Sequence, residues 1–538
     1  MPRSTPRQFP PLSIAGALFA LTNLAHAALD TDPFVYDPQF DQGAVFGDRF
    51  ADSTGVTIAN GLRVLVAAHY NGDDNGDIVA IGNVMAHQGH GNGNLGAVRY
   101  DSSGNRVAWG NPTAQYSFGG GEYVDYPNTS NNYISAVDDA KLFEGFIFAL
   151  VDVNRGTQRD VRIVSILDGG MGTSGGPIVN DLGAFTTSLD ETGVALVPYT
   201  YSTFDGDGNP ITAYRMIAVA NYTTSGGRRI ITMKRFIVDI STSFLTVDNS
   251  FGISNNGAMD QMAPNSMCHA NANCSWDVSA VAALRTNTNN PTLYLGGTAY
   301  DRTSNPHNDG VVVSVNGYDG SLNPHFGMLG AAGIFVNELT DPSGITAIVA
   351  TPSGAGDAAN DRVYVASTGG AYNPSCTVNA ASVTKLLAQA PITGLPGLLL
   401  TLRDGSFAND GVLQFGGDPI ACIYSTLPAD MLLDGNRLAI VGAEQDTSGT
   451  LHIAKPDLPL LAIVRASDGV LTEYRRGALS GPYTGAIQAK GSVFNSIALR
   501  SPGRYAVTGS ISDAGGLTAT LFGTAELAAD RIFGDGFD

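Results

Sequence analysis

Tryptophan and positive charge are scarce in this chain: 2 tryptophans, and 29 lysines and arginines against 49 aspartates and glutamates. A formal net charge of −20 argues against a nucleic-acid partner and against binding to anionic membrane surfaces. Cysteine is equally sparse, 4 in 538 residues, and no C-x-x-C spacing occurs, which leaves zinc and dithiol redox chemistry without a ligand set. Beyond the first thirty residues no apolar run approaches the roughly 20 residues that a membrane-spanning helix needs. The 3.6-residue period of long amphipathic helices is almost missing too, so a helical fold is excluded. Only 14% of residues are charged and 43% are hydrophobic, so the chain can bury a large core and is not disordered.

The N-terminus has a basic start at Arg3 and Arg7, an apolar stretch from Leu12 to Leu24 and Ala25-His26-Ala27 as a cleavage site. Residues 1–27 therefore predict a secretory signal peptide, and the mature protein is expected to be secreted, periplasmic or on the cell surface. In an exported chain, Cys268, Cys274, Cys376 and Cys422 predict two disulfides. Pairing within "CHANANC" and between Cys376 and Cys422 is one of the possible connectivities.

The 66 glycines punctuate apolar runs that recur from residue 35 to about 525. One run returns as "LRVLVAAHYN" (from Leu62), "YRMIAVANYT" (Tyr214), "TLYLGGTAYD" (Thr292), "DRVYVASTGG" (Asp361), "NRLAIVGAEQ" (Asn436) and "GRYAVTGSIS" (Gly503). A weaker copy, "FEGFIFALVDVN", begins at Phe143. Each reads as a strand that ends in small residues. A second motif, Asp-x-x-Phe followed by glycines and an apolar strand, occurs in "DPQFDQGAVF", "DNSFGISNNGAM" and "DGSFANDGVLQF", with Asn323 leading the variant "NPHFGMLGAAGIFV". Its aromatic is expected to plug a pocket beneath the turn. Units of this size predict an all-β repeat fold, most simply a closed β-propeller of about seven blades over residues 28–525, followed by a tail at 526–538.

These turn motifs, with "VRYDSSGNR" (98–106), resemble the delta-sixty repeat family of secreted bacterial proteins. The resemblance implies β-propeller-like arrays, mostly without an assigned activity. The closing "RIFGDGFD" is similar to a C-terminal tag of exported bacterial proteins. The chain ends argue for closure: the last unit stops short of an Asp-x-x-Phe turn, and the first begins with one, at Asp37 to Gly43. A ring whose first and last segments share a sheet removes exposed edges.

Two stretches invite a catalytic reading. "GMGTSGGPIV" and "VAAHY" carry Ser174 and His69 in the contexts of a trypsin-like nucleophile and base, with Asp125, Asp138 or Asp139 as the third member. Yet "LDGGMGTSGGPIV" aligns without a gap on "VDNSFGISNNGAM", which sets Ser174 on Ser254. "AAHY", "VANY" and "GTAY" likewise set His69 on Asn221 and Ala299. The repeat absorbs both halves of the signal.

Calcium is the one cofactor the sequence leaves open, at Asp205, Asp207 and Asn209 in "DGDGNP" or at Asp73, Asn75 and Asp77. A solvated turn explains the same residues. His87 and His90 lack a third ligand, and His269 reads as a loop residue. Tyr116, Tyr123 and Tyr126 offer one aromatic face, and Trp109 and Trp276 are too few for a carbohydrate platform.

The reading carried forward is a monomeric exported repeat protein that binds a protein, a glycan or a cell-surface ligand without chemistry of its own. The alternatives are a serine protease using Ser174 and His69, and a propeller lyase or glycoside-acting enzyme. If Ser174 only shapes a bend, a fluorophosphonate probe leaves the folded protein unlabelled. Labelling that disappears in Ser174→Ala would establish the protease.

Overall fold

A computed structural model describes residues 46–48, 58–67, 77–85, 94–100, 117–118, 121–124, 133–156, 158–167, 180–181, 189–252, 257–261, 275–284, 291–300, 308–328, 331–332, 334–337, 344–353, 360–369, 380–389, 402–416, 424–446, 458–476, 492–512 and 518–526. Within them the fold is all-β, with antiparallel sheets arranged as a β-propeller and no α-helix among the described residues. His69, Ser174, Asp125, His87, His90 and the four cysteines lie outside the described residues, as do the leader and the C-terminal tail.

In chain order the sheets begin with the strands Ile58–Ala67 (sheet A), Tyr133–Phe143 (B), Glu191–Phe204 (C), Ser275–Leu284 (D), Gly344–Thr351 (E), Tyr424–Asp434 (F) and Ser492–Ser501 (G). Each first strand contacts the first strand of the next sheet, and that of sheet A contacts that of sheet G. These strands therefore form the innermost circle. The N-terminal strand Phe46–Asp48 pairs with Thr518–Glu526 as the outer strand of sheet G, Phe46 opposite Phe522. The first and last described strands thus share one sheet, while the Asp37–Gly43 turn lies outside the described residues.

The recurrent run is the second strand of sheets B to G, for example Phe146–Asn154 and Pro210–Thr223. It is buried on both faces: Phe146 through Val153 are all buried. Apolar clusters fill the wedges between neighbouring sheets. Val219, Ile231 and Met233 of sheet C, for instance, meet Trp276, Val278 and Leu295 of sheet D.

A bulge in the inner strand explains the small residues of the run. In sheet D the register shifts between Val278 and Ala280, and in sheet G between Phe494 and Ser496. A Cβ on Gly297 would strike the carbonyl oxygen of Asp277, and one on Gly509 that of Val493. Only glycine fits opposite these bulges.

The Asp-x-x-Phe turn is built as its sequence suggests. Phe251, Phe326 and Phe407 are buried to within 1%. The backbone N–H of each donates to the leading residue's carbonyl, for example Phe407 to Asp404 at 3.0 Å. The Asp404 carboxylate accepts from the Ser406 N–H and hydroxyl, and takes ion pairs from Arg362 (2.8 Å) and Lys385 (3.5 Å). Burial raises its pKa, but these hydrogen bonds and cations prevail and hold it at about 2. Asp248 repeats the arrangement with Ser250, Arg215 and Arg235.

Removing the plug should empty a pocket that the turn cannot fill. Phe407→Ala is expected to lose about 3–5 kcal/mol in urea unfolding. Phe204→Ala, at a site 71% exposed, should change stability by less than about 0.5 kcal/mol. Equal losses would contradict the plug.

Candidate functional site

Polar side chains cross the seams between sheets and grip the inner-strand bulges. In sheet C, Asn221 sits at the end of a buried second strand; its Oδ1 accepts from the Val278 N–H at 2.9 Å and its Nδ2 donates to the Val278 carbonyl at 2.8 Å. Val278 is the residue just before the sheet D bulge. Register relative to that bulge places Thr298, rather than Ala299, at the position equivalent to Asn221.

Sheet B holds an aspartate, Asp152, where sheet C holds Asn221. Its register is Val137 opposite Val151 and Asp139 opposite Leu150, with Asp138 bulged between. Asp152 Oδ1 accepts from the Gly193 N–H at 2.9 Å, and Gly193 immediately precedes the sheet C bulge. The Asp152 and Asp138 carboxyl groups both lie against Gly193, and each influences the other's titration. Asp152 is only 2% exposed, and burial raises its pKa above the ordinary 3.8 despite the Gly193 hydrogen bond, the Asp138 carboxyl group and the Arg159 charge. A Cβ on Gly193 would collide with Asp138 Oδ2, so glycine makes the room that this carboxyl occupies.

Arg159 opens the third strand of sheet B and joins this pair to the rim. Its Nη1 lies 3.9 Å from Asp152 Oδ2, and its Nη2 donates to Asp190 Oδ2 at 3.0 Å. Asp190, just before the inner strand of sheet C, has its pKa lowered by the Arg159 side-chain hydrogen bond, with further help from the Arg159 N–H and the Arg229 charge. Arg229 in turn binds Asp277 at 2.7 Å, and burial raises the pKa of Asp277, which also hydrogen-bonds Tyr300. The result is an arc across sheets B, C and D in which the acid pair Asp138 and Asp152 is followed by Arg159, Asp190, Arg229 and Asp277, of alternating charge.

Of the residues singled out in the sequence, Asp138 belongs to this arc and Asp139 adjoins it. Asp139 is a staple: its Oδ1 accepts from Lys141 and its Oδ2 from the Leu196 N–H of sheet C. Asp430 does the same between sheets F and G, accepting from Ser496 and the Ile497 N–H. Asp205, Asp207 and Asn209 form a hairpin turn, in which Asp205 Oδ1 accepts from the N–H groups of Asp207 and Asn209. No group of three or more His, Cys, Asp or Glu suited to a metal occurs among the described residues. Trp276 is a core residue with no exposure. No helix among the described residues is long and apolar enough to cross a membrane.

Asp152, Arg159 and Asp190 went unread in the sequence. The available signal was "FALVDVN", where an aspartate interrupts a run that elsewhere places Asn221, Thr298, Thr368, Ala443 or Ser510.

No protein-family model matches the sequence, and no curated protein matches it significantly. Among solved structures, a protein of unknown function from Dyadobacter fermentans is similar with a TM-score of 0.39 and 10% identity, over 74% of this chain and 95% of its own. A putative glycosidase from Bacteroides thetaiotaomicron has a TM-score of 0.26 and 11% identity, over 62% of this chain and 87% of its own. An exo-1,5-alpha-L-arabinanase from a bovine ruminal metagenomic library has a TM-score of 0.23 and 10% identity, over 61% and 93%. Others also bear glycoside hydrolase names. At these values the likeness assigns neither residues nor a substrate to this chain. Most of these neighbours bear glycoside-acting names, contrary to the expectation of a module without catalysis, and the glycoside-acting alternative is taken up below as a proposal.

The raised pKa of Asp152 has a consequence for stability. Its protonated form favours the folded state fully below about pH 4, the unfolded value, and that contribution fades as pH rises through the higher folded value. Asp152→Asn, a permanent amide, should therefore show a shallower loss of urea stability above pH 4 than the parent protein. Parallel pH curves would contradict the assignment.

Proposed function

We propose that this protein is an exported β-propeller enzyme acting on glycosides at the inner rim of sheets B and C. The observation that carries the reading is the opposite tuning of two carboxyl groups about one guanidinium. Asp152 is pushed toward its protonated form, and Asp190 is held ionised. Glycoside hydrolysis needs such a division of labour, an acid that protonates the leaving oxygen and a carboxylate that acts as base or nucleophile, set roughly 5–9.5 Å apart. Asp152 and Asp190 face different nitrogens of Arg159.

In this proposal Asp190, side chain 46% exposed, is the group that meets water or the anomeric carbon. Arg159 orients it and offsets the surrounding negative charge. The acidity of the whole chain favours neutral over polyanionic glycans. Export through the 1–27 leader, a count of about seven blades, kinship with the delta-sixty repeat proteins and calcium at Asp205, Asp207 and Asn209 belong to the same proposal.

The test is a panel of neutral plant and microbial glycans incubated with the mature protein, read by release of reducing ends. Cleavage of at least one glycan is expected, reduced at least 100-fold in Asp190→Asn with the melting temperature unchanged. No cleavage across the panel, or full activity in Asp190→Asn, would overturn the reading.

A further inference from the structure

We infer that Asp138 and Asp152 hold one proton between them, and that Asp138 is the catalytic acid that delivers it to the glycosidic oxygen. The inference rests on the glycoside reading above and assigns the one role which that reading leaves without an accessible group. Asp152, 2% exposed, cannot itself touch a substrate. Asp138, the bulged residue of an inner strand, is only partly buried; its Oδ2 is buried against Gly193, so a substrate is met by Oδ1.

The internal repeat supplies an argument independent of titration. At the bulge, sheets C to G place Val194, Ser279, Thr346, Ala429 and Asn495, none of them ionisable. At the seam-gripping position, sheet C uses the neutral amide of Asn221. Sheet B alone among these puts a carboxyl group at both places. Two adjoining carboxylates repel when both are ionised; a shared proton turns the repulsion into a hydrogen bond. Departures of this kind from a repeat's own pattern mark function more often than packing.

The surroundings fix the geometry. The Gly193 N–H grips Asp152 Oδ1, and the missing side chain of Gly193 leaves space for Asp138 Oδ2. Ser135, on the same inner strand, donates to the Asp152 carbonyl. On the opposite flank Asn83, 3% exposed, donates to the Ile134 and Ser135 carbonyls and keeps its Oδ1 buried without a hydrogen-bond partner. Asp152 and Gly193 are accordingly positioning residues, and Arg159, within Coulomb range of Asp138, stabilises the charge left after transfer.

The step balances with water as co-reactant. As the bond between the anomeric carbon and the leaving oxygen breaks, its electron pair stays on that oxygen, which takes the Asp138 proton. Water adds to the anomeric carbon and gives its proton to Asp190. That proton returns through solvent to the Asp138–Asp152 pair.

Two measurements separate this inference from the reading beneath it. Infrared spectroscopy of the mature protein at pH 7 should show the carbonyl stretch of a protonated carboxylic acid, lost in both Asp138→Asn and Asp152→Asn. Its absence would overturn the shared proton whether or not glycans are cleaved. On a glycan that the parent cleaves, Asp138→Asn should slow turnover at least 100-fold, with the loss largely recovered on an aryl glycoside whose leaving group needs no proton. Asp152→Asn should lose turnover near pH 7 and recover it at lower pH, where Asp138 takes up a proton alone, so that the alkaline limb of its pH profile moves down. Equal losses on both leaving groups in Asp138→Asn would remove it as the acid. Gly193→Ala guards against misfolding of the charged-site variants: it keeps both carboxyl groups but should weaken the infrared band. A band unchanged in Gly193→Ala would contradict the positioning role. A band present with no glycan cleaved would overturn the glycoside reading and the delivery role with it.

Discussion

The arrangement depends on how one sheet holds the inner strand of the next. A propeller sheet has no covalent tie to its neighbour except a loop, and apolar wedges between sheets are non-directional. Direction comes from polar side chains that reach across the seam and bind the backbone at a bulge. Asn221 grips Val278, Asp152 grips Gly193, Asn83 grips Ile134 and Ser135, and Asp430 grips Ile497. Each such bond is buried or nearly so, where an unmade partner costs about 1–3 kcal/mol. The bulge both frees the backbone groups that are gripped and turns the inner strand toward the axis.

The same device explains why chemistry can be placed there cheaply. Where a seam position holds a buried polar group with an N–H partner, as at Asn221, an amide can be exchanged for a carboxylic acid without rebuilding the sheet. What changes is the proton. Burial is what keeps an acid at this position neutral, against the Gly193 N–H and the Asp138 carboxyl group, which both favour its ionised form. Arg159 and Asp190 then connect a buried, proton-holding pair to an exposed, ionised carboxylate. Stability and function meet in one set of hydrogen bonds.

Much of the fold was legible because the chain repeats itself. The recurring apolar run, the Asp-x-x-Phe turn with its buried aromatic, and the complementary chain ends each describe contacts that are local or recur at a fixed spacing. The site is a different matter. Gly193 lies 41 residues from Asp152, and Asp190 lies 31 from Arg159, so neither pair could be read without knowing which sheets adjoin. Alignment of the runs also slipped by one residue at Ala299, because a bulge shifts register without leaving a mark in the composition. Asp138 entered the sequence reading as a partner for His69, which lies outside the described residues, and in the structure it lies beside Asp152 against Gly193.

The central claim is that the seam position facing a bulge accepts only a neutral group. Asn221→Asp tests it most directly, since that site has no second acid beside it. Urea unfolding of this variant from pH 4 to pH 8 should show stability close to the parent's at the acid end and a progressive deficit as the new carboxyl group ionises. A deficit that is constant across that range, or none at all, would contradict the claim.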